Sequence, residues 1–125
     1  MLIAMMMAAA LMGSDEASAS VPTEIPVGAT FYTRADAQNF TMEAGYYPPK
    51  AKRLEVNGSA TVDCQVEANG ELSRCAVIKE TPPDVGFGEA TALAFLKYAR
   101  VKPEEVEQIG AGGWKKFTFR WKYAD

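Results

Sequence analysis

The sequence predicts an α+β domain, with a small three-stranded antiparallel sheet and two helices packed on one face of the sheet. Three observations support this fold class. Residues 59–66 and 114–123 alternate apolar and polar side chains, which is the period of a strand with one buried face. Asn69-Gly70 follows the first of these segments and is a strong hairpin signal. Residues 88–99 have the broad apolar side of a packed helix.

Composition limits the function more than the fold. The chain has 125 residues, of which 48% are apolar and 23% charged, which suits one domain with a modest core. A net charge of −3 argues against nucleic acid as the main partner. There is no histidine, so the commonest general base and metal ligand are missing. We therefore predict no catalysis, cofactor, metal or small-molecule substrate, and the only enzymatic alternative uses the carboxylates of Glu104, Glu105 and Glu107.

The first nineteen residues are predicted to form a signal peptide. MLIAMMMAAALMG is apolar, uncharged and too short to cross a bilayer as a helix. Ala17-Ser18-Ala19 then fits the small-x-small pattern that precedes a cleavage site. We expect an exported protein cleaved after Ala19. Because no Lys or Arg precedes the apolar run, an uncleaved anchor that starts further upstream stays open as the alternative.

Residues 20–45 are predicted to be an N-terminal extension or linker. Pro22, Pro26 and Gly28 interrupt it, and neither the strand period nor the helix period persists. We expect a loosely structured segment with an aromatic side chain, such as Phe31, Tyr32 or Phe40, held against the domain.

The compact domain is predicted over residues 46–125. A short helix over Pro49–Leu54 begins with proline, which suits the first helical turn. The two hairpin strands follow, and residues 81–84 (TPPD) end the second one. The helix over 88–99 has cations near its C-terminal end, where the helix dipole favours them. Residues 103–113 are predicted to be a loop with a solvated glutamate face, and the last strand covers 114–123.

The only two cysteines, Cys64 and Cys75, lie on the two hairpin strands. A two-residue loop at Asn69-Gly70 places them directly opposite each other. A three-residue loop over 68–70 does the same if a one-residue bulge lies near Ser73-Arg74, and without the bulge the sulfurs lie on opposite faces.

Opposed cysteines in an exported protein normally oxidise to a disulfide. Closing a loop of this size adds about 3 kcal/mol of stability in the chain-entropy model. The alternative is a redox-active pair, which usually has Cys-x-x-Cys spacing at a helix start. The spacing of Cys64 and Cys75 favours the structural disulfide.

Several short segments, taken in order, resemble the C-terminal domain of TonB. They are Tyr47-Pro48 before the short helix, the hairpin segment VDCQVEANGELSRCAVIKETPP, the helix end KYARVKP and the last strand FTFRWKY. The resemblance covers about Tyr46 to Tyr123.

The resemblance implies a periplasmic protein of Gram-negative type that contacts outer-membrane receptors. A short extended segment of the receptor adds as a strand to the edge of the domain. Membrane contact is then expected only through the partner, unless the N-terminus is an uncleaved anchor. The sequence offers the strand 114–123 as this edge, with basic side chains on its polar face. The expected partner-binding residues are Tyr47, Pro48, Trp114, Lys116, Thr118, Arg120 and Lys122.

The sequence also departs from the family. Residues 20–45 are a short spacer, and Ala44-Gly45 stand where the family has a receptor-contacting glutamine before its Tyr-Pro pair. Two alternatives to a simple binding module follow. One is energy transduction with the N-terminus as an uncleaved anchor. The other is a soluble structural or inhibitory envelope domain that binds another periplasmic protein through a surface such as Phe31-Tyr32, with no role in transport.

Overall fold

The computed structural model describes residues 21–123 and confirms the α+β class. The elements in chain order are β1 (Phe31–Thr33), α1 (Pro49–Leu54), β2 (Gly58–Val66), β3 (Leu72–Thr81), α2 (Phe87–Tyr98), α3 (Pro103–Ile109) and β4 (Trp114–Trp121). The strands form one antiparallel sheet in the order β1-β3-β2-β4. The predicted signal peptide lies outside the described residues.

The sheet has four strands and not the three that were predicted, because part of the N-terminal extension joins it. β1 pairs with β3 and places Tyr32 opposite Cys75. Three residues are too few to show an alternating pattern, which is why no strand was predicted here. The predicted aromatic contacts of the extension are present: the Phe31 ring lies 6.2 Å from that of Trp114, and the Phe40 ring 5.4 Å from that of Tyr46.

The loop predicted at 103–113 is wrong for its first half, because Pro103–Ile109 forms the helix α3. Pro103 occupies the first turn, and Glu104 and Glu105 follow it where the helix dipole favours acidic side chains. Val106 is buried in the core and Ile109 packs beside it. Two apolar residues on a seven-residue helix with three glutamates are too few to show the helix period, so the sequence was interpreted as a loop.

The hairpin has the three-residue loop with a bulge, one of the two predicted routes to a cysteine pair. Cys64 lies opposite Cys75, whereas Val66 lies opposite Leu72, so Ser73 is the extra residue. The Glu67 N–H donates to the Glu71 carbonyl at 2.8 Å and closes the loop. The predicted disulfide between Cys64 and Cys75 is present, with both residues fully buried.

The core lies between the sheet and the helices and forms two clusters. The larger cluster surrounds the disulfide, between α2, α3 and the middle of the sheet. The smaller cluster surrounds Phe87 and Trp121, next to α1. In the smaller cluster the indole N–H of Trp121 donates to the Thr91 hydroxyl at 2.8 Å, so the buried indole is satisfied.

Candidate functional site

The longer exposed edge of the sheet is β4. It stands at one end of the strand order, and among residues 21–123 its backbone ladder involves β2 alone. The opposite edge, β1, has only three residues. Exposure increases along β4, and residues 118–120 are all exposed before the buried Trp121. The second half of β4 is therefore the longest run of exposed residues on an edge strand in the described part of the chain.

The hydrogen-bonding pattern shows which backbone groups of β4 face this open edge. The Val66 N–H donates to the Gly113 carbonyl at 2.8 Å, which makes Gln65 and Trp114 a non-hydrogen-bonded pair. Pair types alternate along an antiparallel ladder. Every second residue from Trp114 therefore turns its N–H and C=O away from β2: Trp114, Lys116, Thr118 and Arg120.

The disulfide supports the same assignment independently. The Cα atoms of Cys64 and Cys75 are 4.0 Å apart, which is the short separation of a non-hydrogen-bonded pair. Cys64 thus turns its backbone groups away from β3 and towards β4, where it faces Lys115. Lys115 is consequently paired with β2, and Lys116 is turned to the open edge.

The residues of β4 that turn their backbone outward also place their side chains on the outer face of the sheet, which is the face opposite the core. Lys116 and Arg120 give this side of the strand a positive charge, and Lys122 follows beyond its end. The Lys116 Nζ lies 3.7 Å from a carboxylate oxygen of Glu24 in the extension. No ion pair within residues 21–123 involves Arg120 or Lys122. We call Lys116, Arg120 and Lys122 the cationic row. Its charge is therefore only partly neutralised by residues 21–123.

Asp63 is a buried carboxylate beside this row, although the strand period placed it on the polar face. Its carboxylate oxygens have no hydrogen-bond partner among the described residues, and the nearest cation is Lys116, 3.7 Å away. Burial raises the pKa of Asp63 above the usual range, Lys116 acts against this shift, and the carboxylate of Glu24 adds to it. The extension thus places a second carboxylate beside Lys116 on the outer face.

On the core side, an apolar groove runs between the second half of β4 and the C-terminal half of α2. We call it the α2–β4 groove; its volume is about 370 Å³, and its lining residues are Met42, Thr91, Ala94, Phe95, Tyr98, Ala99, Phe119 and Trp121. The helix packs over the middle strands β2 and β3. As a result the core face of β4 is partly uncovered, and Phe119 keeps 38% of its surface exposed.

The structure places the predicted Tyr47 and Pro48 near the far end of β4. The Tyr47 ring lies 5.7 Å from that of Tyr123, and its hydroxyl donates to the Val56 carbonyl at 2.7 Å. Pro48 is fully buried. Trp114, at the other end of β4, is half-buried beside the Arg74 guanidinium, which lies 5.1 Å from its ring. Among the predicted residues, only Lys116, Thr118, Arg120 and Lys122 come together as an exposed row.

The groove residues outside β4 were not expected from the sequence. Phe95 and Tyr98 are three positions apart on α2, a spacing that fits ordinary core packing equally well. Met42 lies in the extension and lines the groove, where its N–H donates to the Tyr98 hydroxyl at 3.1 Å. Only the three-dimensional path of the extension brings these residues together.

A comparison with protein families finds a match over residues 43–123, to the family described as Gram-negative bacterial TonB protein C-terminal. This range is well over half of the chain. The chain belongs to this family. A comparison with curated proteins finds no match. The TonB C-terminal resemblance of the sequence is therefore confirmed at the level of the family.

Domains of the TonB C-terminal family are periplasmic, non-enzymatic protein-interaction domains that contact outer-membrane receptors. The matched range includes β2, β3, β4 and all three helices, and it begins one residue after Met42. Between residues 21 and 123, no helix has the length and apolar character needed to cross a membrane.

Proposed function

We propose that this protein is a periplasmic binding module that accepts a short extended segment of an outer-membrane receptor as an additional strand beside β4. The observation that carries the proposal is the backbone edge of Trp114–Trp121, where alternate residues turn N–H and C=O groups outward that have no strand partner within residues 21–123. Strand addition takes its affinity from these main-chain groups and its selectivity from alternate side chains.

The proposal assigns roles to the predicted residues. Lys116, Thr118 and Arg120 supply the backbone groups that bond to the receptor segment, and Lys116, Arg120 and Lys122 supply its positive side. Their charge also discourages two copies of β4 from pairing with each other, because like charges would meet across the seam. Tyr47 and Pro48 fix the end of β4 through packing, since Pro48 has no exposed surface to offer a partner.

We also propose that residues 1–19 are a signal peptide and that the mature protein starts at Ser20. The family supports an envelope location. N-terminal sequencing of the protein recovered from the periplasmic fraction tests this directly. A mature start at Ser20 is the expected result, and an intact N-terminus in the membrane fraction would favour the anchor.

The binding test uses labelled peptides from the plug segments of outer-membrane receptors, titrated into isotope-labelled protein. We expect backbone amide shifts to appear first in residues 114–123, with the largest changes at the outward residues. The variant Thr118→Pro removes one outward N–H and should abolish binding, whereas Thr118→Ala keeps that N–H and should bind. Binding that survives the proline, or shifts centred on β1, would reject β4 as the receptor edge.

A further inference from the structure

The two sides of β4 differ in chemistry, and an added strand would meet both of them. We infer that the preferred partner segment alternates apolar and acidic side chains, with one apolar side chain in the α2–β4 groove and acidic neighbours opposite Thr118 and Arg120, from where Lys116 is within diagonal reach. The inference rests on the proposed strand addition at β4. Side chains of an added strand alternate between the faces whether it runs parallel or antiparallel, so the direction of the segment does not affect this pattern.

The groove supports the apolar half of the pattern. It opens beside Phe119, an exposed apolar residue on the core face of the edge strand. Apart from the Thr91 hydroxyl, which is occupied by the Trp121 indole, its lining is apolar or aromatic. A cavity of about 150 Å³ holds a benzene molecule. The volume of about 370 Å³ therefore accepts one large side chain such as Leu or Phe.

The walls of the groove are held in place. The Phe119 ring lies 5.0 Å from the Trp121 ring and 6.4 Å from the Phe95 ring. On the opposite wall, the Tyr98 hydroxyl is fixed by the N–H of Met42. A preformed apolar site reduces the ordering that binding would otherwise require.

The cationic row supports the acidic half. Lys116 and Arg120 project from the outer face two strand repeats apart, and residues of the partner segment on this face cannot reach the groove. The chain itself shows the chemistry that suits this row, because Glu24 of the extension already lies 3.7 Å from Lys116. Arg120, which has no such neighbour within residues 21–123, is the stronger candidate for a partner carboxylate.

The experiment uses four dye-labelled synthetic peptides whose ends are blocked. The first, T-V-E-L-E-V-T, carries the proposed pattern. The second, T-V-E-S-E-V-T, lacks the central apolar side chain. The third, T-V-Q-L-Q-V-T, lacks the charge. The fourth, T-V-E-E-L-V-T, has the composition of the first but carries a glutamate on each face, so no register separates its apolar and acidic side chains.

Binding is measured by fluorescence anisotropy against the full chain. We expect the serine peptide to bind about tenfold to a hundredfold more weakly than the first, as loss of one buried apolar side chain implies. The glutamine peptide should also bind more weakly than the first, but by a smaller factor. This difference in affinity should vanish at high salt because exposed charges are screened. The fourth peptide should bind more weakly than the first. Equal affinity of all four would overturn the inference.

Protein variants locate the two contacts. Ala94→Trp fills the groove and should reduce binding of the leucine peptide but not of the serine peptide. Ala35→Trp introduces the same side chain at an exposed site beyond β1, on the other edge of the sheet, and should leave binding unchanged. Arg120→Glu should weaken binding of the first peptide, which carries the glutamates, more than binding of the glutamine peptide. Lys79→Glu, an exposed charge reversal on β3, is the control.

Failure of the inference and failure of the proposed function give different results. If the peptides shift the amides of β4 and Thr118→Pro abolishes binding, but neither the pattern nor Ala94→Trp matters, strand addition stands and the specificity is wrong. If no peptide shifts β4, strand addition itself is wrong. Should Ala94→Trp fail to fold, the comparison of the leucine and serine peptides on the unaltered chain still decides the apolar half.

Discussion

Proline substitutions at adjacent positions of β4 test the backbone assignment on which the binding edge depends. Thr118 is placed with its N–H towards the open edge, and Phe119 with its N–H towards Ala60 of β2. Proline removes the N–H in both cases, but only at Phe119 does it remove a bond of the sheet. The two variants should therefore differ strongly in stability, although the sites are neighbours.

The magnitude follows from what each proline leaves behind. Ala60 is buried, with 1% of its surface exposed, so the carbonyl that loses the Phe119 N–H has no water to replace it. An unsatisfied buried group costs about 1–3 kcal/mol, in addition to the lost bond of about 1 kcal/mol. We expect Phe119→Pro to be about 3 kcal/mol less stable than Phe119→Ala. Thr118→Pro should stay within about 1 kcal/mol of Thr118→Ala.

Urea denaturation of the four variants measures their free energies of unfolding. Comparing each proline variant with the alanine variant at the same site removes the effect of the lost side chain. A difference of about 3 kcal/mol corresponds to a shift in midpoint of roughly 1–3 M urea. The Thr118→Ala control also accounts for the side-chain hydrogen bond to Thr61, whose hydroxyl oxygen lies 2.8 Å away. Equal destabilisation at both sites, or a larger effect at Thr118, would show that the outward residues are wrongly assigned.

Three further predictions concern the folded domain. Replacing Cys64 and Cys75 by alanine should destabilise the protein by about 3 kcal/mol, because the disulfide closes a loop between residues 11 positions apart. In a thermal scan under oxidising conditions, the melting temperature should fall by more than about 10 °C. Because burial raises the pKa of Asp63, wild-type stability should fall as pH rises from the ordinary aspartate range through the raised value. In urea titrations, Asp63→Asn should lack this fall and should be more stable than the wild type at neutral pH. An equal fall in the variant would show that another group causes the pH dependence. Thr91→Val leaves the Trp121 indole N–H without its partner and should cost about 1–3 kcal/mol, measured by urea denaturation against Thr91→Ser, which keeps the hydroxyl.

The hairpin shows how far local sequence signals reach. Asn69-Gly70 and the alternation of β2 specified the turn and its strands, and the requirement that Cys64 face Cys75 reduced the loop to two geometries. The choice between them depended on the bulge at Ser73, which lets Leu72 and Cys75 both enter the core although they are three residues apart. Packing in the core distinguishes the two loops, because the local sequence is compatible with either of them.

The groove and the fourth strand could not be predicted because they depend on contacts between distant segments. β1 is a strand because β3 offers an edge to it, not because its three residues prefer the conformation. Tyr98 lies within the predicted helix and received no role from the sequence, yet it keeps 51% of its surface exposed and its hydroxyl accepts a hydrogen bond from the Met42 N–H. The cationic row was predictable, since the period of β4 alone separates its two faces.

The path of the extension bears on whether this chain transmits force. If residues 20–45 were a spacer, full extension would give them a reach of about 90 Å. Within residues 21–45, however, Glu24 lies against Lys116, β1 joins the sheet and Ala37 is buried in the core. Tension applied at the N-terminal end would have to detach these contacts before the segment could extend, and it would also remove Met42 from the groove. A segment that completes the fold and lines the proposed site is better suited to shaping that site than to transmitting a pull. This favours a binding module without energy coupling of its own.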